Sequence, residues 1–274
     1  NEKAAARSNA LYRQWSNKAV SFTYHPGSTF KIITAAMALE ENVVNLNSTF
    51  VCNGSIRVGV ENIHCWRSYN PHNTQNLALA MQNSCNPAFI QIGQRLGIER
   101  FYDYFEAFGL TDATGIDLPG ESTPKAGISY WRRENMTGVD LAVASFGQNF
   151  KISMIQHLTA ISAVANGGKL VQPYVVESMT DSNGNIVWQH EVNELRQVVS
   201  SSVCREVARI LEEGVSGDGG SKNAYVAGYK VAAKTGTSEK IGDDETLRIG
   251  SYAGFAPSDD PEIAIILIVD EPSC

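Results

Sequence analysis

Apolar and polar positions change period along the chain, and the changes mark its elements. Residues 1–24 are mostly polar, with Tyr12 and Trp15 as the expected anchors, and they lead to a Pro26-Gly27 break. From about Ser28 to Glu41 the run Ile32-Ile33-Thr34-Ala35-Ala36-Met37-Ala38-Leu39 predicts a helix, since Ala, Met and Leu favour one. Residues 42–75 mix Asn, Gly, Cys, His and Pro without a helical period, and only Ser55 to Val60 reads as a short strand or hairpin arm. Helical periods return over Leu77 to Asn83, over Pro87 to Leu96 with Gly97 at its end, and over Ile98 to Phe108. Thr111 to Ser129 reads as irregular surface. Met154 to Ala165 is an apolar helix closed by Asn166-Gly167-Gly168, followed by an expected strand over Leu170 to Ser178 and a polar extended stretch over Val187 to Gln197. Ser200 to Gly214 is amphipathic, and Asp218-Gly219-Gly220 is a turn. Lys230 to Glu239, Gly250 to Pro257 and Glu262 to Asp270 then read as three successive strands, which predicts an antiparallel sheet.

Size and charge narrow the classes. At 274 residues with 43% hydrophobic content, the chain can bury a full core. A net charge of -7 without a basic run leaves no electrostatic footprint for nucleic acid or anionic lipid. The longest apolar run, Ile263 to Val269, falls far short of the roughly 20 residues that span a bilayer. The start at Asn1, without a methionine or a signal-like stretch, suggests a piece of a longer protein.

The candidate chemistry lies at His25-Pro26-Gly27-Ser28-Thr29-Phe30-Lys31. Residues three apart share a helix face, so the Ser28 hydroxyl can meet the Lys31 amine, a nucleophile beside a base. A lysine with a pKa of about 10.4 is neutral in only roughly one molecule in 2500 at pH 7, so it needs burial and a second cation to work as a base. As an isolated match the pair reads more readily as a helix cap and a solvated lysine. A second Ser-x-x-Lys, Ser122 to Lys125, is set aside because Pro119, Gly120 and Pro124 argue for a loop. Lys234-Thr235-Gly236-Thr237 occurs once and supplies the cation; Thr235 and Thr237 share a strand face and can hold a carboxylate, and Gly236 allows close approach. Ser84-Cys85-Asn86, at the joint of two helices, adds a hydroxyl and an amide. The same spacing at Ser68-Tyr69-Asn70 and Ser221-Lys222-Asn223 reads as turn chemistry.

This ordered set resembles the penicillin-binding proteins and serine β-lactamases, in which the three motifs recur. Tyr24 to Lys31, Ser84 to Gly97, and Ser145 to Asn149 with Asn166-Gly167-Gly168 are similar to stretches of this family, and residues 262–272 are similar to its class B members, the monofunctional transpeptidases. The resemblance implies an α/β (α+β) fold, an antiparallel sheet flanked by helices plus an all-helical lobe, here expected to lack the family's first strands and last helix. It implies one transpeptidase domain over 1–274, with 42–86 a loop-rich insert beside the site. Ser28, Lys31, Ser84, Asn86 and Lys234 would be catalytic, Thr235, Gly236 and Thr237 would bind substrate, and the backbone N–H groups of Ser28 and Thr237 would form an oxyanion hole. The expected activity is a D,D-transpeptidase of peptidoglycan cell-wall synthesis, with carboxypeptidase side activity, acting on D-Ala-D-Ala stem peptides and trapped by β-lactams. Its expected place is the extracytoplasmic face of a bacterial membrane, with an anchor outside this chain. The alternatives are a β-lactamase, disfavoured by the lack of a Glu-x-x-Leu-Asn stretch, and a non-catalytic β-lactam sensor. No cofactor is required for catalysis.

Cysteines add something the mechanism does not use. Cys52, Cys65 and Cys85 fall between the first two motifs, with His64 and His72 among them. Buried free thiols, a Cys52 to Cys65 disulfide, and a structural zinc held by Cys52, Cys65, His72 and Cys85 are all open readings. The spacing lacks the short Cys-x-x-Cys pairs of common zinc motifs.

Overall fold

A computed structural model describes residues 2–240 and 247–272; the fifth cysteine, Cys274, lies outside them. The chain opens with α1 (Glu2–Trp15) and the short α2 (Lys18–Ser21), crosses β1 (Thr23–Tyr24), and enters a 3-10 turn (Gly27–Phe30) that continues as α3 (Lys31–Glu40). Strands β2 (Thr49–Cys52), β3 (Ser55–Val58), β4 (Glu61–His64) and β5 (Asn73–Asn76) precede helices α4 (Leu77–Gln82), α5 (Asn86–Leu96), α6 (Ile98–Ala107) and α7 (Gly138–Ala144). After β6 (Ile152–Ser153) and α8 (Met154–Ala165), strands β7 (Lys169–Val171), β8 (Ser178–Thr180), β9 (Ile186–Gln189) and β10 (Glu194–Gln197) lead to α9 (Ser201–Ser216). The chain closes with β11 (Ala232–Glu239), β12 (Arg248–Ala256) and β13 (Ile263–Asp270).

The last three strands form the expected antiparallel sheet in the order β11-β12-β13, with Lys234 opposite Ala253 and Gly236 opposite Ser251. One face of β11 packs on α9 and on the 3-10 turn, which brings the sheet against the head of α3. Nine of the ten residues of α3 are buried, so this helix is the axis between the sheet and the helical lobe of α4 to α7. Its root is aromatic: Phe30 packs against Phe150 with ring centroids 4.8 Å apart, and Phe101 and Phe105 lie behind them. Such edge-on ring pairs add roughly 0.5–1.5 kcal/mol beyond the area they bury. Helix starts follow local chemistry, with capping boxes at Thr137/Asp140 for α7 and Ser153/Gln156 for α8.

Several expectations are corrected. Tyr12 and Trp15 anchor nothing: they are 67% and 72% exposed on α1, where they pack only on each other in the ring contacts described. The stretch 42–86 is more regular than its composition suggests, because β2 pairs with β5 and β3 with β4. Leu170 to Ser178 is not one strand: β7 stops before Pro173, which cannot donate to a ladder. Val187 to Gln197 splits between two ribbons, β9 on β8 and β10 on β7.

Candidate active site

The turn before α3 is set by glycine. Gly27 has φ +59°, and its N–H donates to the Gly147 carbonyl at 2.8 Å. A Cβ on Gly27 would lie 2.9 Å from the Thr237 carbonyl oxygen, and one on Gly147 would meet the Gly27 carbonyl, so main chain rests on main chain on both sides. Thr29 Oγ donates to the Pro26 carbonyl at 2.7 Å and locks the turn. Ser28 is left partly exposed at its top, two residues before the root residue Phe30.

Lys31 is wholly buried and reaches four oxygens: Ser28 Oγ at 3.0 Å, Ser84 O at 2.8 Å, Ser84 Oγ at 3.2 Å and Asn86 Oδ1 at 2.7 Å. Burial pushes its pKa well below the ordinary lysine value, and Lys234 pushes it further. Lys234, also buried, donates to Ser84 Oγ at 3.0 Å and to the Thr235 carbonyl at 2.8 Å, and burial brings it down to about 7. The structure thus gathers Ser28, Lys31, Ser84, Asn86 and Lys234 into one hydrogen-bonded group from three separate stretches.

Ser84 owes its place to how α4 ends. Ser84 N–H donates to Met81 O and Cys85 N–H to Ala80 O, the two bonds of a Schellman motif, and Ser84 takes the left-handed position with φ +50°. Glycine is usual there, so the hydroxyl is carried at a conformational cost of order 1–3 kcal/mol. The next peptide starts α5, with Asn86 in its first turn and Pro87 just behind.

Along β11, Lys234 and Gly236 face inward while Thr235 and Thr237 face the opening, Thr237 being exposed. A Cβ on Gly236 would strike Ser251 Oγ and crowd Thr29, so only glycine lets the strand approach the nucleophile turn. Ser122 and Lys125 lie in a loop, with Lys125 exposed. Two contacts were not foreseen. Ser221, passed over in the sequence as turn chemistry, is buried with its Oγ accepting the Thr235 N–H at 3.3 Å. The Trp66 indole N–H donates to Asn83 O at 2.9 Å, beside Ser84.

Behind Ser84 the donor atoms of Cys52, Cys65, His72 and Cys85 lie within 4.8 Å of one another. All three cysteines are buried free thiols, and no disulfide joins Cys52 to Cys65. Cys65 Sγ is 3.5 Å from His72 Nδ1, and His72 Nε2 is buried without a partner. The Cys85 thiol beside it holds Cys65 well below the ordinary thiol range, and Cys85 is raised in turn. Three thiols and an imidazole are a donor set that suits tetrahedral zinc, whose ligand atoms stand about 3.5–3.8 Å apart for bonds of about 2.0–2.3 Å; Cys65 and His72 stand at such a distance, and the group as a whole spans up to 4.8 Å.

Comparison with known proteins gives a consistent result. Residues 1–273 match the family described as "Penicillin binding protein transpeptidase domain". Stage V sporulation protein D of Bacillus subtilis is 40% identical over 261 residues, 93% of this chain and 40% of that protein. Penicillin-binding protein PbpB of Mycobacterium tuberculosis is 30% identical over 276 residues, covering 95% of this chain and 39% of its own length. This chain therefore spans about 40% of the curated relatives it matches. Among solved structures, penicillin-binding protein 3 from M. tuberculosis complexed with aztreonam superposes with a TM-score of 0.86 at 27% identity, over 96% of this chain and 60% of that one. The D,D-transpeptidase domain of a peptidoglycan glycosyltransferase from Eggerthella lenta gives 0.85 at 26% identity, over 99% and 67%. On its sequence match and its fold, this chain belongs to the penicillin-binding protein transpeptidase domain family.

Proposed function

We propose that this chain is one domain, a peptidoglycan D,D-transpeptidase that forms an acyl-enzyme on Ser28 and is inhibited covalently by β-lactams. The observation that carries this reading is the environment of Lys31. A neutral amine has two hydrogens and one lone pair. Asn86 Oδ1 and the Ser84 carbonyl can only accept, and they are the nearest oxygens, at 2.7 and 2.8 Å. They take both hydrogens, and the lone pair is left for the Ser28 hydroxyl at 3.0 Å. Burial and the neighbouring Lys234 depress the pKa of Lys31, which favours that neutral form.

Ser28 Oγ then attacks the carbonyl before the terminal D-alanine of a stem peptide and gives its proton to Lys31. The Ser28 and Thr237 N–H groups receive the oxyanion. As the C–N bond breaks, the leaving amine takes a proton from Ser84, which is replaced by the proton that Lys31 took from Ser28; Ser84 Oγ lies between Lys31 and Lys234 at 3.2 and 3.0 Å. Lys234, Thr235 and Thr237 hold the terminal carboxylate along β11, and Gly236 keeps the strand close. A second stem peptide's amine attacks the ester, forms the crosslink and returns the proton to Ser28; water in its place gives carboxypeptidase side activity. A β-lactam mimics the donor, but its leaving nitrogen stays tethered in the opened ring. Relatives named as a peptidoglycan D,D-transpeptidase FtsI homolog and as a probable peptidoglycan D,D-transpeptidase FtsI support this reaction over hydrolysis of the β-lactam.

Cys52, Cys65, His72 and Cys85 would hold a structural zinc that clips 42–86 together, with no part in the chemistry. The reaction takes place on the extracytoplasmic face of a bacterial membrane, with the anchor outside this chain; no helix among the described residues is long and apolar enough to cross a membrane.

Labelling with a fluorescent penicillin, followed over time by mass spectrometry, tests the function. A lasting adduct that disappears in Ser28→Ala, together with crosslinking of stem peptides, is expected. A rapidly lost adduct would make the chain a β-lactamase, a lasting one without crosslinking would make it a sensor, and labelling that survives Ser28→Ala would move the nucleophile elsewhere.

A further inference from the structure

The left-handed conformation of Ser84 needs surroundings that enforce it, and the carbonyls around it show what they are. Helix α4 satisfies its own carbonyls up to Met81: Asn83 N–H bonds Leu79 O, Cys85 N–H bonds Ala80 O and Ser84 N–H bonds Met81 O. The three carbonyls that follow point out of the motif, and each is taken by a different part of the chain. Gln82 O accepts from Gly220 N–H at 3.2 Å, from the loop before β11. Ser84 O accepts from Lys31 on the nucleophile helix. Asn83 O accepts from the Trp66 indole at 2.9 Å, from the loop between β4 and β5.

We propose that Trp66 is a positioning residue for Ser84: its N–H pins the peptide on which the Ser84 turn is hung, and so aims the Ser84 hydroxyl between Lys31 and Lys234. Packing does not account for this tryptophan. It is 60% exposed, its one ring neighbour among the aromatic contacts described is His72 at 5.7 Å, and its single hydrogen bond points at the turn. Cys65, the preceding residue, is held in the thiol cluster, so the indole is presented from a fixed base. Without the donor, Asn83 O has no hydrogen-bond partner among the described residues and the peptide between Asn83 and Ser84 is free to rotate toward an unstrained conformer. The Ser84 Oγ then leaves its place between the two lysine side chains. Ser28 and Lys31, three residues apart on their own turn, keep theirs.

This inference rests on the reading of Ser84 as the group that protonates the leaving amine, and the experiment separates the two. Trp66 is replaced by 3-benzothienylalanine, which keeps the ring shape and exchanges N–H for sulfur, and by Trp66→Phe as a second variant. Acylation is timed in the full-length protein with two acyl donors: a penicillin, whose leaving nitrogen needs a proton, and a thioester of the same acyl-peptide class, whose thiolate does not. Loss of one such hydrogen bond corresponds to about two- to tenfold in rate, so both variants should be slowed by about that factor on the penicillin and less than about twofold on the thioester. Equal slowing on both donors, or no slowing on either, overturns the proposal. Ser84→Ala should give the same split, larger. A split in Ser84→Ala that is missing from the Trp66 variants overturns the role of Trp66 alone. No split in Ser84→Ala overturns the proton-relay reading and the inference with it.

Discussion

Replacing Gly27 by alanine tests the geometry on which the acylation step depends, without touching any functional side chain. The added Cβ would lie 2.9 Å from Thr237 O, 3.2 Å from the Thr237 carbonyl carbon and 3.3 Å from Ser238 Cβ. Ordinary contact would require β11 to retreat by about half an ångström at the residue whose N–H is assigned to the oxyanion. The left-handed φ of +59° adds about 1–2 kcal/mol for a residue with a Cβ. For a domain of this size that lowers the melting temperature by about 2–8 °C and leaves the protein folded at 25 °C. The rate should suffer more. A 1 Å misplacement can cost about 100-fold, so half of that should slow acylation by about tenfold. Timed labelling with a fluorescent penicillin, alongside a thermal melt, measures both. Acylation within twofold of the parent, with the melt lowered as expected, would show that the strand is not part of the reacting geometry and would refute the argument.

Other outcomes follow from the same contacts. Lys234→Ala removes a charge that helps to depress Lys31, so the pKa of Lys31 should rise and the acid limb of the acylation pH profile should move to higher pH, with a rate loss above about tenfold from the missing carboxylate anchor; an unchanged rate and profile would place Lys234 outside the site. His157, buried on Tyr24 with Nδ1 2.7 Å from the phenol, stays neutral down to about 3 when folded but takes up a proton near 6.5 when unfolded. Its contribution to stability is therefore present above the unfolded value and declines by about 1.4 kcal/mol per pH unit as pH falls toward 3, which His157→Gln should flatten in denaturant titrations across that window. Freshly purified protein should carry about one zinc per chain and lose melting temperature on chelation, whereas less than about 0.1 zinc and no chelator effect would leave only thiols in the cluster.

What could be read from the sequence was mostly what is local. The Ser28 and Lys31 spacing, the helices flanking Ser84 and the alternation in β11 are short-range patterns, and they recur in the structure close to where the residues predict. β5 went unseen because Asn73-Thr74-Gln75-Asn76 has little strand propensity and is a strand only through its pairing with β2. α7 went unseen because Gly138 weakens its first turn, although the Thr137 and Asp140 capping box was there to find. The support of Ser84 was hidden for another reason. Trp66 and Gly220 act on main-chain carbonyls, which every residue has, so their partners carry no signature in the sequence.

The mounting of the nucleophile turn on Gly147 and Thr237 through main-chain atoms has an evolutionary consequence. Side-chain replacement around Ser28 leaves these two supports untouched, because main-chain atoms make them; only a methyl group at Gly27 or Gly147 disturbs them, and the one at Gly147 meets the Gly27 backbone most closely. A lineage under antibiotic selection would find almost no tolerated substitutions in this frame. Any discrimination between drug and stem peptide would have to accumulate in side chains at the mouth, such as Thr237, whose replacement leaves the main-chain N–H in place, and not at Trp66, whose indole holds the Ser84 turn.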